Sequence, residues 1–514
     1  MNPKKSKLHR TITPKTVFVC SVLIFLGYVM SFAANWYTKT YGDTGFDSVM
    51  FTLTGGLDGV QSGLIESYLI GGLLPAVLFS AATVWLVFFR CKRAVSVSFF
   101  GSRQVKVFPF SAKFKVWFSV TLSVVLIVWA SFGIRLIQYI IYQARPTYIF
   151  DESYVDPNSV EITFPEQKRN LVFITVESLE TTFLSKSEGG GLDYNIVPNL
   201  SEIANNNINF SNNGGVGGAK SFTGTTWTAG GLIAHTAGIP LKVPFGLSDN
   251  TYGNDTFLPG VVTLFDVLRD NGYYQAVMLG SDSHFANGNV YFTCHGVNKI
   301  YDYYTARDDK LFPEDYKAWW GYEDKLLFSY AKQKLSEIST FNQPFSFMLR
   351  TADTHHIDGY VCSECKGEYE EQYENVFSCA DRQLYEFIEW LKAQPFYENT
   401  TIVITGDHLT MDSEYITRNV DEDYERHIYN CIINSAISGN NYKNRQFASM
   451  DLFPTTLAAM GCRIEGERLG IGTNLFSQTP TLTEEMGVDE FEEQMSRRSE
   501  FYNNKFIYMK KETE

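Results

Sequence analysis

Three short apolar runs are each followed, within a few residues, by side chains that can bind a metal or move a proton. Leu171 to Val176 ends at Glu177. Phe345 to Leu349 is followed by Asp353, His355 and His356. Thr401 to Ile404 leads through Thr405-Gly406 into Asp407 and His408. Carboxylates and imidazole suit a divalent cation of the manganese, zinc and magnesium range, and three protein ligands leave a coordination position open. Glu177, Asp407 and His408 are therefore a candidate metal set. A Glu after a strand is often only a helix cap or a solvated side chain, because most charged residues are exposed. The joint placement at strand ends is what makes these three a site candidate.

A second stretch, Ser221-Phe222-Thr223-Gly224-Thr225-Thr226-Trp227-Thr228-Ala229-Gly230-Gly231, is rich in hydroxyls and glycine. A turn of this kind can lead into a helix whose N-terminus binds an anion, and a hydroxyl there, next to a metal, can act as a nucleophile. The plainer alternative is an N-cap and a flexible surface loop. Cys362-Ser363-Glu364-Cys365 follows His355 and His356 closely and raises the question of zinc. Structural zinc needs four ligands at compatible spacing, and there is no second Cys-x-x-C. A disulfide joining Cys379 to Cys362 or Cys365 is the expectation for an oxidising compartment.

These residues need a scaffold, and the pattern from Asn170 onward supplies one. Strands are expected at 171–176, 208–210, 275–279, 345–349 and 401–404. Helices are expected at 198–204, 263–270 with Thr263 as cap, 323–338, 371–391 and 450–460. Such alternation argues an α/β domain with a mostly parallel sheet between helices, which places its ligands at the carboxyl ends of the strands. Residues 143–168, punctuated by Pro146, Pro157 and Pro165, read as a connector. The catalytic domain is expected over 169–480, with 481–514 as a C-terminal tail.

The first 142 residues are of another kind. Uncharged stretches at about 17–34, 67–89 and 116–134 are each long enough to cross a bilayer core of roughly 30 Å. Ser31-Phe32-Ala33-Ala34 resembles a signal-peptide cleavage site, but two further spans follow. Basic residues gather before the first span (Lys4, Lys5, Lys7, Arg10, Lys15) and between the second and third (Arg90, Lys92, Arg93, Arg103, Lys106, Lys113, Lys115). The 37–66 loop sets Lys39 against Asp43, Asp47, Asp58 and Glu66. The positive-inside rule then puts the N-terminus and the 90–115 loop in the cytoplasm and everything after about residue 143 outside. The 514-residue chain carries a net charge of −14, and the outer part is the acidic one. An acidic domain is a poor ligand for nucleic acid, so no nucleic-acid partner is expected.

Taken in order, several segments resemble the phosphoglycerol transferase and lipoteichoic acid synthase family, membrane enzymes of the alkaline phosphatase and sulfatase superfamily. They are Asn170 through Glu180, Gly224 through Pro240, Trp320 through Asp324, Thr351 through His356, Thr405 through His408, Asp451 through Thr455, and Arg468 through Phe476. The Thr-Trp-Thr turn and the Asp-Thr-His-His segment are most similar to the Gram-negative branch that decorates periplasmic glucans. The resemblance implies an alkaline phosphatase-like domain behind three transmembrane helices, in a bacterial inner membrane with the catalytic domain in the periplasm. It implies Thr228 as nucleophile and one divalent metal, manganese with magnesium or zinc as alternatives, held by Glu177, Thr228, Asp407 and His408. It assigns substrate contacts to His355, His356 and Trp227. The implied reaction moves phosphoglycerol from phosphatidylglycerol to a cell-envelope glycan through a phospho-threonine intermediate. One position departs from the pattern: Gly288 stands where the synthase branch has an Arg that grips the headgroup, with Asn287 and Arg426 as candidate substitutes. Related alternatives are a phosphoethanolamine transferase or a phosphate or sulfate ester hydrolase, although Thr228 lacks the Cys/Ser-x-Pro-x-Arg context of the sulfatases. An inactive envelope sensor is the alternative from another class.

The charge asymmetry makes a direct prediction. Alkaline phosphatase fused after residue 150 should be active in cells, and the same reporter fused near residue 100 should be silent. The reverse pattern would overturn the orientation.

Overall fold

In the computed structural model the described residues are 12–42, 45–54, 62–90, 95–99, 103–108, 111–243, 256–439 and 442–509. Lys4, Lys5, Lys7, Arg10, Cys91, Lys92 and Arg93 lie outside them. The chain divides into two compact units, residues 1–39 with 61–138, and residues 40–60 with 139–514.

Three helices are long and apolar enough to cross a membrane, Pro14–Tyr41, Ile65–Phe89 and Ala112–Gly133, and all but the last two residues of the first belong to the smaller unit. They contain nearly all of the three apolar stretches read from the sequence. Their outer faces carry Phe18, Leu78 and Trp129, each more than half exposed. Apolar faces turned outward along three long helices are what a lipid environment requires. Ser119 and Ser123 fold their hydroxyls back onto the carbonyls of Lys115 and Ser119, at 2.8 Å each, so these polar groups are satisfied within the helix. Between the second and third helices the backbone forms an antiparallel hairpin, Val95–Phe99 with Arg103–Phe108, which the charge pattern did not foretell.

The larger unit is built on a seven-stranded sheet. In chain order its strands are β1 (Asn170–Val176), β2 (Gly218–Ala219), β3 (Tyr274–Leu279), β4 (Lys299–Tyr301), β5 (Phe345–Arg350), β6 (Thr400–Gly406) and β7 (Ile428–Ile433). Their spatial order is β2-β7-β6-β1-β5-β3-β4. The five strands from β6 to β4 run parallel, and β7 and β2 close the other edge antiparallel. β1 lies at the centre and is buried on both faces, as the unbroken apolar run predicts. Leu171 and Phe173 point into one core, and Val172, Ile174 and Val176 into the other.

Six helices matter to the site: α1 (Pro198–Asn206), α2 (Thr228–Ala237), α3 (Leu264–Asp270), α4 (Asp324–Ile338), α5 (Gln372–Lys392) and α6 (Leu452–Ala459). The first core takes Ile233 and Ala234 of α2, Leu264 and Leu268 of α3, and Phe453 and Leu457 of α6. The second takes Leu200 of α1, Leu327 and Leu335 of α4, and Phe377, Leu384 and Ile388 of α5. α3 begins where its sequence signal lies, with Thr263 and Asp266 in a reciprocal capping box.

Two expectations need adjusting. Residues 208–210 do not form a strand; Ile208 makes only a single bridge to Ile432. The amides of Asn209 and Asn430 take the place of a ladder, with Asn209 Nδ2 donating to the Asn430 carbonyl at 2.8 Å and Phe210 N–H donating to Asn430 Oδ1 at 3.1 Å. β7 was not anticipated, because the polar Asn430 interrupts its apolar run. The flanking stretches also contribute to the larger unit. Phe150 from the connector and Tyr502 and Phe506 from the last residues are buried in the first core, and Ile162–Thr163 pairs with Arg463–Ile464.

Glycine sets the closeness of the elements that meet at the carboxyl edge. A Cβ on Gly231 of α2 would stand 2.1 Å from the Asp407 carbonyl oxygen, and one on Gly406 would stand 1.8 Å from that of Leu179. Both obstacles are backbone and cannot swing away. Gly231→Ala and Gly406→Ala should each destabilise by about 1–3 kcal/mol, read as a lower midpoint of thermal unfolding. Gly367, with nothing within 4 Å of its would-be Cβ, is the control whose Ala variant should melt like the parent. Equal midpoints for all three variants would contradict this packing.

Candidate active site

β1 pairs in register with both neighbours, Val176 opposite Gly406 of β6 and Thr175 opposite both Thr405 of β6 and Arg350 of β5. The residues that leave these strands therefore emerge together. Glu177, Asp407 and His408 are all buried, and one ligand atom from each lies within 4.8 Å of the others. The chain leaves β1 through Ser178, whose φ of 58° is left-handed. That turn aims the Ser178 N–H at Asp407 Oδ1, 2.8 Å away, and the His408 N–H donates to the same oxygen at 2.9 Å. With Oδ1 occupied, Oδ2 is buried with no hydrogen-bond partner among the described residues. His408 Nδ1 is 2.8 Å from the Leu409 carbonyl, which holds the proton on Nδ1 and leaves the Nε2 lone pair for the site. Nε2 is 3.3 Å from Glu177 Oε1, 3.5 Å from Asp407 Oδ2 and 3.4 Å from Thr228 Oγ1.

The electrostatics show what this crowding costs. Burial raises the Glu177 carboxyl, but His355 and His408 outweigh it and hold the group below the usual carboxylate range. Burial and the neighbouring Glu177 push Asp407 up to about 7. Burial lowers His408, yet Asp407 and Glu177 together raise it to about 9. Left to itself the cluster retains protons. A divalent cation would take the place of these protons, and Glu177, Asp407 and His408 are the residues that could hold it. The donor set fits such an ion.

Thr228 is the first residue of α2, and its predecessor Trp227 makes no side-chain cap. The amides of the first turn are thus available to an anion. Two other threonines of the turn are otherwise engaged. Thr225 accepts from Phe222 N–H at 3.0 Å and donates to the Phe222 carbonyl at 2.9 Å; the Thr223 N–H and hydroxyl both bond Glu492. Trp227 is buried, with its indole N–H unpartnered among the described residues.

His355 and His356 lie beside this cluster, stacked on each other at 4.4 Å between ring centroids. Burial lowers both imidazoles, so both are neutral at pH 7. His355 also packs on Trp320 at 4.7 Å, and Trp320 on Phe285 at 5.2 Å. Their loop is held by a carboxylate brace. Asp324 at the start of α4 accepts from the N–H groups of Ala352 (2.8 Å) and Asp353 (3.1 Å), while Asp353 Oδ2 accepts from Asp324 N–H at 3.1 Å. Asp451 does similar work elsewhere, accepting from Thr473 N–H and Ala448 N–H at 2.7 Å each.

Of the two candidate substitutes for the absent Arg, Arg426 is committed. It clamps Glu180 at 3.0 and 2.8 Å and donates to the Thr410 carbonyl. Asn287 Nδ2 is buried and has no partner among the described residues. The sequence reading passed over Arg350, the last residue of β5, whose guanidinium interacts electrostatically with Glu177 and Asp407. Its signal was available: a cation at the carboxyl end of an apolar strand. The expected disulfide is not formed. Cys362 Sγ is 3.8 Å from both Cys365 Sγ and Cys379 Sγ, well beyond a bond of about 2.05 Å.

A mostly parallel sheet between two helical layers, with a carboxylate–imidazole cluster and a hydroxyl at its carboxyl edge, is an α/β domain of the alkaline phosphatase type. The sulfatase family model matches residues 169–462, and the chain belongs to that family. Phosphoglycerol transferase I of Citrobacter koseri is 31% identical over 273 residues, 51% of this chain and 33% of that protein. The match thus covers about a third of this relative's length. Among solved structures, the lipoteichoic acid synthase LtaP of Listeria monocytogenes has a TM-score of 0.48 and 20% identity, over 62% of this chain and 80% of that one. The lipooligosaccharide phosphoethanolamine transferase EptA of Neisseria meningitidis has a TM-score of 0.47 and 14% identity, over 96% and 89%.

The protons on Asp407 and His408 would set the pH dependence of cation binding here. At pH 8 a cation would displace chiefly the His408 proton; at pH 6, below the raised Asp407 value of about 7, it would displace both. Manganese affinity measured by calorimetry should therefore weaken as pH falls from 8 to 6, with more protons released per ion. Asp407→Asn should weaken it by more than the roughly 10–100-fold typical of losing an outer hydrogen-bond partner. Affinity that stays flat across this range would contradict the ligand assignment.

Proposed function

We propose that this protein is a membrane-bound phosphoglycerol transferase of a bacterial inner membrane. Its domain faces the periplasm and moves phosphoglycerol from phosphatidylglycerol to a cell-envelope glycan. The observation that carries the reading is the Thr228 hydroxyl, 3.4 Å from His408 Nε2 at the uncapped start of α2, beside Glu177 and Asp407. The similarity to phosphoglycerol transferase I supports the same class of reaction.

A bound divalent cation, manganese for preference, would lower the hydroxyl pKa and neutralise charge on the phosphoryl oxygens. Glu177, Thr228, Asp407 and His408 are the residues that would hold it. Thr228 Oγ1 attacks the phosphorus and the bond from phosphorus to the diacylglycerol oxygen breaks. The threonine proton ends on that oxygen, and diacylglycerol leaves. In the second step a glycan hydroxyl attacks the same phosphorus, the bond to Thr228 breaks, and the glycan proton returns to the threonine. The first-turn amides of α2 face the phosphoryl oxygens in both steps. Neutral His355 offers a ring nitrogen to the glycerol hydroxyls, and His356 and Trp227 are the further side chains assigned to substrate contact. The unpartnered Asn287 amide takes the place of the missing Arg as a headgroup donor.

The test uses the full chain in detergent with two labelled lipids and manganese. Diacylglycerol should be released from phosphatidylglycerol and not from phosphatidylethanolamine, and Asn287→Ala should raise KM for the former more than it lowers kcat. Turnover of phosphatidylethanolamine alone would assign the other transferase class. Release of free glycerol phosphate at the same rate with and without glycan would make the protein a hydrolase.

A further inference from the structure

The site above uses oxygen and nitrogen donors. A second cluster, made of sulfur, lies on the loop that follows His355 and His356. Cys362 and Cys365 come from this loop, and Cys379 comes from the second turn of α5. The three Sγ atoms all lie within 4.8 Å of one another, and Cys362 Sγ is 3.8 Å from each of the others. A tetrahedral ion with metal–sulfur bonds of about 2.3 Å holds its sulfurs about 3.8 Å apart. Cys362 and Cys379 are buried, and Cys365 is half-buried.

The surroundings treat these sulfurs as acceptors. Glu364 N–H points at Cys362 Sγ from 3.4 Å, inside the Cys-Ser-Glu-Cys turn. Gln383, one turn beyond Cys379 on the same face of α5, places Nε2 3.2 Å from Cys379 Sγ and 3.7 Å from Cys362 Sγ. Its other amide atom, Oε1, is buried with no partner among the described residues. The two ends of an amide exchange by a half-turn, so Gln383 offers the cluster either N–H donors or a fourth ligand oxygen. Donors converging on sulfur stabilise thiolates, the form a metal binds. An odd number of cysteines also fits a metal better than a disulfide, which would leave one thiol over.

From this geometry we propose that Cys362, Cys365 and Cys379 bind one soft divalent cation of the zinc class, separate from the Glu177–Asp407–His408 site. Three thiolates select zinc, whereas two carboxylates and an imidazole also accept manganese or magnesium. The chain thus carries two sites of different preference. The role of the sulfur site is positional. It ties the loop that begins at Asp353 to α5, where Tyr373 OH already donates to the Thr354 carbonyl (3.0 Å) and Gln372 Nε2 to the Gly359 carbonyl (3.2 Å). The same loop carries His355 and His356. Thiolates held by a metal are also protected from the oxidation that free thiols at this spacing undergo in an oxidising compartment.

The test reads metal and thiols, not turnover, so it stands or falls apart from the transfer reaction. The full chain, purified in detergent without chelator from cells grown with zinc, is analysed for metal content. About one zinc per chain should persist in Asp407→Asn and be lost in Cys379→Ser. Cys365→Ser, at the half-buried position, should also lose it if the Cys379 variant fails to fold. The three thiols should resist alkylation in the native protein and all react, without reductant, once it is denatured with chelator. A Cys362–Cys379 or Cys362–Cys365 disulfide in a non-reduced digest would overturn the proposal. So would a zinc-free protein whose three thiols react freely in the native state.

Discussion

Two buried carboxylates, Glu177 and Asp407, face the His408 imidazole at the carboxyl edge of the sheet, and sheet register, close glycine packing and loop braces hold them there. Unpaired, such groups repel one another and drive protons onto the cluster, which is why Asp407 and His408 are both raised. Each carboxylate has part of its demand met by backbone or hydroxyl donors. What is left over is Asp407 Oδ2, which has no hydrogen-bond partner among the described residues, and His408 Nε2, which faces Glu177 and Thr228. The donor set of the cluster fits a cation, and the Thr228 hydroxyl lies 3.4 Å from His408 Nε2.

The sheet register is the first device that creates this crowding, and close backbone packing is the second. Val176 beside Gly406 brings two strand ends together, and the bare faces of Gly231 and Gly406 allow α2 and the turn after β1 to close on them. Carboxylate braces are the third. Asp324 and Asp353 bond each other's backbone, and Asp451 ties α6 to the chain around Thr473, so that charged side chains buy loop geometry without touching substrate. Several motif residues that could pass for catalytic groups are therefore positioning residues.

Much of this was legible in the sequence, for physical reasons that differ by element. β1 announces itself because burial on both faces demands an unbroken apolar run, and α3 because its cap needs Thr263 and Asp266 three apart. Glu177, Asp407 and His408 could be paired because ligands gather at strand carboxyl ends. β7 was missed, since Asn430 interrupts its pattern for the sake of side-chain bonds to Phe210. The three cysteines could be grouped from their nearness along the chain, but the disulfide expected among them is not formed: Cys362 Sγ stands 3.8 Å from both Cys365 Sγ and Cys379 Sγ. The choice of Thr228 among the threonines of the turn came from the family resemblance, because residue type and spacing alone do not separate them. Thr223 and Thr225 are spoken for by Glu492 and Phe222, whereas Thr228 faces His408.

In the proposed reaction Thr228 Oγ1 is the atom that takes up the phosphoryl group. The most direct measurement is to trap the purified protein with labelled phosphatidylglycerol and no glycan, quench in acid, and map the label by peptide mass spectrometry. A phosphoglycerol adduct on Thr228, absent from Thr228→Ala, is the predicted result. That variant should turn over phosphatidylglycerol slower by a factor on the order of 10⁶, the scale seen when a covalent nucleophile is removed. An adduct on Thr226, or normal turnover by Thr228→Ala, would contradict the account.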